Sequence, residues 1–74
     1  MRKIKLLDTV ALRRDIPTRS LKHGEVGTVV EILASDVYEV EFRDDEGQTY
    51  YELALRAAQI MPLHNQGDAL QIVA

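Results

Sequence analysis

The amino-acid sequence predicts an all-β protein: five short strands that close into one small barrel, with a single 3₁₀ turn before the last strand. Three observations carry this. Val26–Leu33 is dense in β-branched residues, Val37–Phe42 alternates strictly between charged and apolar positions, and turn-forming stretches punctuate the chain at 13–25, 34–36 and 43–47. At 74 residues the chain forms one domain, burying only about 60% of its unfolded surface.

The first strand is read from Leu7–Leu12, where Val10 and Leu12 recur at the period of two of a half-buried strand. From Arg13 to Glu25 that period fails. Pro17 removes a ladder donor and Gly24 frees the backbone, which predicts a loop of about a dozen residues, long enough to be functional or tightly packed. In the second strand Val26, Thr28, Val30 and Ile32 share one face and Gly27, Val29, Glu31 and Leu33 the other; both are partly apolar, so the strand is central. Gly24 suits a positive φ, and Gly27 a bulge or a close backbone approach.

A short turn at Ala34–Asp36 leads into the third strand, with Tyr38, Val40 and Phe42 inward and Glu39 and Glu41 in water. A second turn, Arg43–Gly47, precedes a strand from Gln48 to Leu55. It places Tyr51, Leu53 and Leu55 on one side and Tyr50, Glu52 and Ala54 on the other. Leu55–Ile60 has helical propensity but is too short for a stable α-helix, so it is read as one 3₁₀ turn feeding a last strand, Ile60–Leu63. Pro62 puts that strand near an edge. Residues 1–63 thus form the barrel and 64–74 a C-terminal tail, which begins polar and ends with Leu70, Ile72 and Val73. The tail either covers one end of the barrel or adds as a strand to another chain. Short strands, tight hairpins and one helical turn before the final strand together describe the SH3-like type of barrel, which removes exposed sheet edges.

The composition is that of a soluble globular domain, 46% hydrophobic and 28% charged. No apolar run exceeds three residues, so neither a membrane span nor a signal peptide is expected. The absence of cysteine excludes disulfides and thiolate metal sites and fits a cytoplasmic location. The net charge of −3 conceals an asymmetry: Arg2, Lys3, Lys5, Arg13, Arg14, Arg19 and Lys22, seven of the nine basic residues, precede Val26. Against Asp8 and Asp15 that leaves +5 over the first 22 residues, and −8 from Glu25 onward. Either the two halves neutralise one another across neighbouring strands, or the first strand and its loop present a basic face to phosphates or an acidic partner.

No convergent catalytic set is legible, so an enzyme is not expected. His23 and His64 have no second His or Cys at metal-ligand spacing, and the pair His64 and Asp68 falls short of the three or four ligands that zinc requires. Ser20 and Ser35 lack the strand-to-helix elbow of an activated nucleophile. Asp44, Asp45 and Glu46 read as a solvated turn rather than a cation site. Gly24 and Gly27 are followed by neither Lys-Ser/Thr nor a helix, which rules out a phosphate-binding loop. No metal, cofactor or small-molecule substrate is therefore expected. Tyr50 is the one aromatic residue that alternation turns outward, where a rigid ring can anchor a partner. Readers of single-stranded RNA usually show two or more exposed rings.

The stretch Leu21–Ile32, with Gly24 and Gly27 ahead of Val29 and Ile32, resembles the glycine-marked element of KOW and other SH3-like modules. Taken with Leu6–Leu12, Tyr38–Phe42 and Leu55–Leu63, the chain is similar, from Ile4 to about His64, to the small bacterial family called domain of unknown function 4926. That resemblance implies an SH3-like barrel and no established activity. It also suggests a partner among small proteins encoded nearby, including toxin and antitoxin pairs.

The expected function is a non-catalytic protein-interaction module, the regulatory or neutralising half of a two-component pair, working through another small protein or a homodimer. The alternative is KOW-like RNA binding by the basic strand and loop. The residues assigned to partner binding are Arg13, Arg14, Arg19, Lys22, Tyr50, Leu70 and Ile72.

Overall fold

A computed structural model describes residues 4–44, 46–66 and 69–72. Its strands are β1 (Thr9–Leu12), β2 (Val26–Ala34), β3 (Val37–Arg43), β4 (Thr49–Arg56), β5 (Ile60–Gln66) and β6 (Ala69–Ile72). They form one antiparallel sheet in the order β4-β3-β2-β1-β5-β6, and a 3₁₀ turn at Ala57–Gln59 links β4 to β5. The five expected strands are all present, and the tail contributes a sixth. Among the described residues no helix is long and apolar enough to cross a membrane.

Alternation decides what β1 and β3 bury. Val10 and Leu12 of β1, and Tyr38, Val40 and Phe42 of β3, are all buried and share one cluster with Val29, Leu55 and Ile60. Three strands lie between β4 and β5 in the hydrogen-bonded order, yet Leu55 and Ile60 meet in that cluster. The sheet must curl for this to happen. Register shifts between Val29 and Glu31, and between Ile32 and Ala34, mark irregularities in β2 of the kind that bend a strand. Gly27 and Val29 are buried while Val26, Ile32 and Leu33 are exposed, so the core-facing side of β2 is the Gly27 side. Ile4 and Leu21, from outside the strands, complete the core.

Three local expectations change. β1 begins at Thr9, because Lys5–Asp8 forms a turn: the Asp8 amide donates to the Lys5 carbonyl (3.1 Å), the Lys5 amide donates to Asp8 Oδ2 (2.8 Å), and Leu7 adopts φ 70°. Glu39 and Glu41 are half-buried rather than fully in water, since β2 and β4 flank β3 on both sides. β5 runs on past Leu63, and its two halves have different partners. Ile60–Pro62 pair with β1 and Leu63–Gln66 with β6, so Pro62 has a single neighbouring strand, as a residue without an amide hydrogen requires. The tail thus pairs with its own β5.

The acidic turn is ordered by Asp44, whose Oδ1 accepts from the amides of Glu46 and Gln48 (both 2.9 Å), while Gly47 supplies φ 81°. Asp45 lies outside the described residues.

Candidate functional site

The loop between β1 and β2 is built rather than slack. At its base the Leu12 amide donates to the Glu25 carbonyl (2.9 Å), and the Gly24 amide donates to the Leu12 carbonyl (2.8 Å) with Gly24 at φ 90°. Midway, Ile16 and Leu21 form an isolated antiparallel bridge around a 3₁₀ turn at Pro17–Arg19. Leu21 is 1% exposed, so the loop is nailed to the core. The loop acids serve its backbone: Asp15 Oδ1 accepts from the His23 amide (2.8 Å) and Glu25 Oε2 from the Lys22 amide (2.5 Å).

Such a frame leaves the basic side chains outward. Arg13, Arg14, Arg19 and Lys22 are all exposed, and the one ion pair among the described residues is Arg43 with Glu41 (2.7 Å), on β3. Arg13 differs from the rest because it is held at two points. Its amide donates to the Gln59 carbonyl (2.9 Å) and its Nε to the Ile60 carbonyl (3.0 Å), which fixes the direction of the guanidinium.

Beneath Arg13 lies an open cleft of about 190 Å³, lined by Ala11, Leu12, Arg13, His23, Gly24 and Met61. Its floor follows from register. Ala11 pairs with Val26 on one side and Met61 on the other, so all three stand on the outer face of the sheet, opposite buried Val10, Leu12 and Ile60. Of that row, Ala11 and Met61 line the cleft.

A second feature escaped the sequence reading. Leu6 and Leu7, at the tip of the Lys5–Asp8 turn, are 54% and 70% exposed, and Ile32 and Leu33 on β2 are also exposed. The Leu7 amide donates to the Val29 carbonyl (2.7 Å), which sets the turn against β2 three residues before Ile32. The available signal was the doublet Leu6-Leu7, whose two side chains cannot both enter the core from one extended strand.

The outer faces of β2, β3 and β4 carry carboxylates. Glu31 pairs with Glu39, and Glu41 with Glu52, in direct register. Burial, a hydrogen bond with Glu52 and repulsion from Glu52 and Glu31, in that order of weight, push the Glu39 carboxyl above its usual range.

The remaining assigned residues are scattered. Tyr50 belongs to β4 at one edge of the hydrogen-bonded order, Leu70 and Ile72 to β6 at the other, and the side chains of all three lie outside the described residues, as do that of His64 and the whole of Asp68 and Val73. Among the described residues no three His, Asp or Glu side chains converge as metal ligands would.

No curated protein and no solved structure is similar enough to this chain to be matched. One family model, described as Domain of unknown function (DUF4926), matches residues 6–62. That span takes in β1 to β4, the 3₁₀ turn and the part of β5 that pairs with β1, and so the chain belongs to the DUF4926 family.

Proposed function

We propose that this protein is a non-catalytic protein-interaction module, the regulatory or neutralising half of a two-component pair, whose partner is another small protein. The observation that carries the reading is the leucine turn. An exposed Leu7 at φ 70° occupies a backbone region that branched and bulky side chains avoid, and it sits beside exposed Leu6 with Ile32 and Leu33 further along β2. Strained backbone clusters at sites that contact other molecules, and this supports a contact role for the turn.

The reading is tested by affinity purification at the natural expression level, with wild type beside the double variant Leu6→Ser, Leu7→Asn. A second chain held in stoichiometric amount by wild type and released by the variant supports it. A wild-type protein recovered alone, or as a homodimer that the variant leaves intact, contradicts it.

A second reading, RNA binding by the basic loop, is favoured by the four exposed cations that make no ion pair among the described residues. Its test is a mobility-shift assay at low salt. Binding that falls steeply as salt rises, and that weakens in Arg14→Gln and Arg19→Gln, supports it; no shift at low salt removes it.

A further inference from the structure

We infer that the cleft below Arg13 is a receptor for an acidic side chain of the partner protein, an inference that rests on the interaction reading above. Three observations converge on it. The first is a guanidinium already aimed. The hydrogen bond from Arg13 Nε to the Ile60 carbonyl fixes the plane of the group, while its two terminal nitrogens make no hydrogen bond among the described residues. A planar fork with two unused donors matches a carboxylate in bidentate geometry, and holding it in advance lowers the entropy lost on pairing.

The second is the floor. Ala11 and Met61, paired across β1 and β5, supply apolar lining to the cleft. A ligand seated there lays a hydrocarbon stem on Ala11 and Met61 and presents its charge at the rim. Methionine adapts to the shape of such a stem. A glutamate side chain has this build: two methylenes ending in a carboxylate.

The third is the make-up of the rim. His23 lines the cleft beside Arg13, and its amide is tied to Asp15 Oδ1, so the residue is positioned by the loop frame. The loop acids Asp15 and Glu25 both accept backbone hydrogen bonds, and neither lines the cleft. Among the lining residues Arg13 alone carries a formal charge, so the complementary occupant is anionic. A phosphate satisfies the guanidinium equally well but gains nothing from the apolar floor, which is why a carboxylate side chain is the assignment.

The experiment is an NMR titration of the full chain with N-acetylglutamate α-amide, whose only charge is the side-chain carboxylate. N-acetylglutamine α-amide and inorganic phosphate are titrated in parallel. The expected result is a saturable shift of the Arg13 Nε–H, His23 and Gly24 resonances with the glutamate derivative. It is absent with the glutamine derivative, weakened about tenfold or more in Arg13→Gln, and lost in Ala11→Leu, which fills the hollow. The amide spectra report directly that each variant is folded. Equal response to glutamine, tighter response to phosphate, no response at all, or undiminished affinity in folded Arg13→Gln overturns the assignment. Failure here, with the leucine-turn variant still releasing the partner, removes the cleft and leaves the interaction reading standing. Retention of the partner by the leucine-turn variant removes that reading instead.

Discussion

Gly27 and Val40 approach so closely across β2 and β3 that a Cβ on Gly27 would lie 2.7 Å from Val40 Cγ1, with the Glu41 carbonyl oxygen at 2.9 Å and Phe42 Cδ1 at 3.0 Å. Val40 and Phe42 are both fully buried, and one obstacle is backbone, so no side-chain rotation relieves the overlap. Gly27→Ala is expected to destabilise the fold by roughly 1–3 kcal/mol, the usual cost of overpacking a core. Urea unfolding followed by fluorescence of the tyrosines measures it. A change below a few tenths of a kcal/mol would show that the two strands are further apart than described.

Glu39 gives a pH-dependent prediction. Its carboxyl titrates above the usual range when folded, so the native state holds this proton more tightly than the unfolded chain does. That makes the site's contribution most favourable at acid pH. It declines as pH rises from the unfolded carboxylate range through the raised native value, and stays lower above it. Glu39→Gln is therefore expected to raise stability at neutral pH, by on the order of 0.2–1 kcal/mol for relieved cross-strand repulsion. The gain should vanish below the carboxylate range. Thermal melts of both proteins across that pH span check the sign; a variant less stable than wild type at neutral pH would contradict it.

Leu7 makes the opposite of the usual core prediction. The side chain is 70% exposed at φ 70°, so Leu7→Asn gives up little packing and relieves backbone strain. Stability is expected to rise by roughly 0.5–1 kcal/mol while partner binding is lost. A matched loss of both stability and binding would mean that Leu7 serves the fold.

Where the two strand faces contrast sharply, the architecture was legible in sequence. Tyr38, Val40 and Phe42 alternate with glutamates, and all three are buried. Gly24 lies at the positive φ that its place at the end of the loop suggested, and the 3₁₀ turn falls within the short helical stretch before Ile60. What stayed hidden depends on tertiary context. β2 is apolar on both faces, so alternation alone does not say that Gly27 and Val29 face inward while Ile32 and Leu33 are exposed. The period of Val10 and Leu12 does not mark where the first strand begins, and only the hydrogen bonds of Lys5 with Asp8 reveal that Leu7 lies in a turn. The basic residues of the candidate site were visible as a cluster, but the cleft was not. It arises from the pairing of Ala11 with Met61, residues fifty positions apart.

The sixth strand yields a prediction about the tail. Among the described residues β6 pairs with Leu63–Gln66, while β1 grips Ile60–Pro62. Removing residues 67–74 is expected to leave hydrogen-exchange protection of β1 to β4 in place and to release only the amides of 63–66. Global loss of protection on truncation would make β6 part of the cooperative core.

The proposed function has this small curled sheet hold another protein chain through its leucine turn. Native mass spectrometry of the protein purified at its natural abundance tests this most directly. The expected result is a complex of this chain with a different one in fixed ratio, reduced to the single chain by Leu7→Asn. A wild-type spectrum containing only the single chain, under conditions that preserve known complexes, would contradict it.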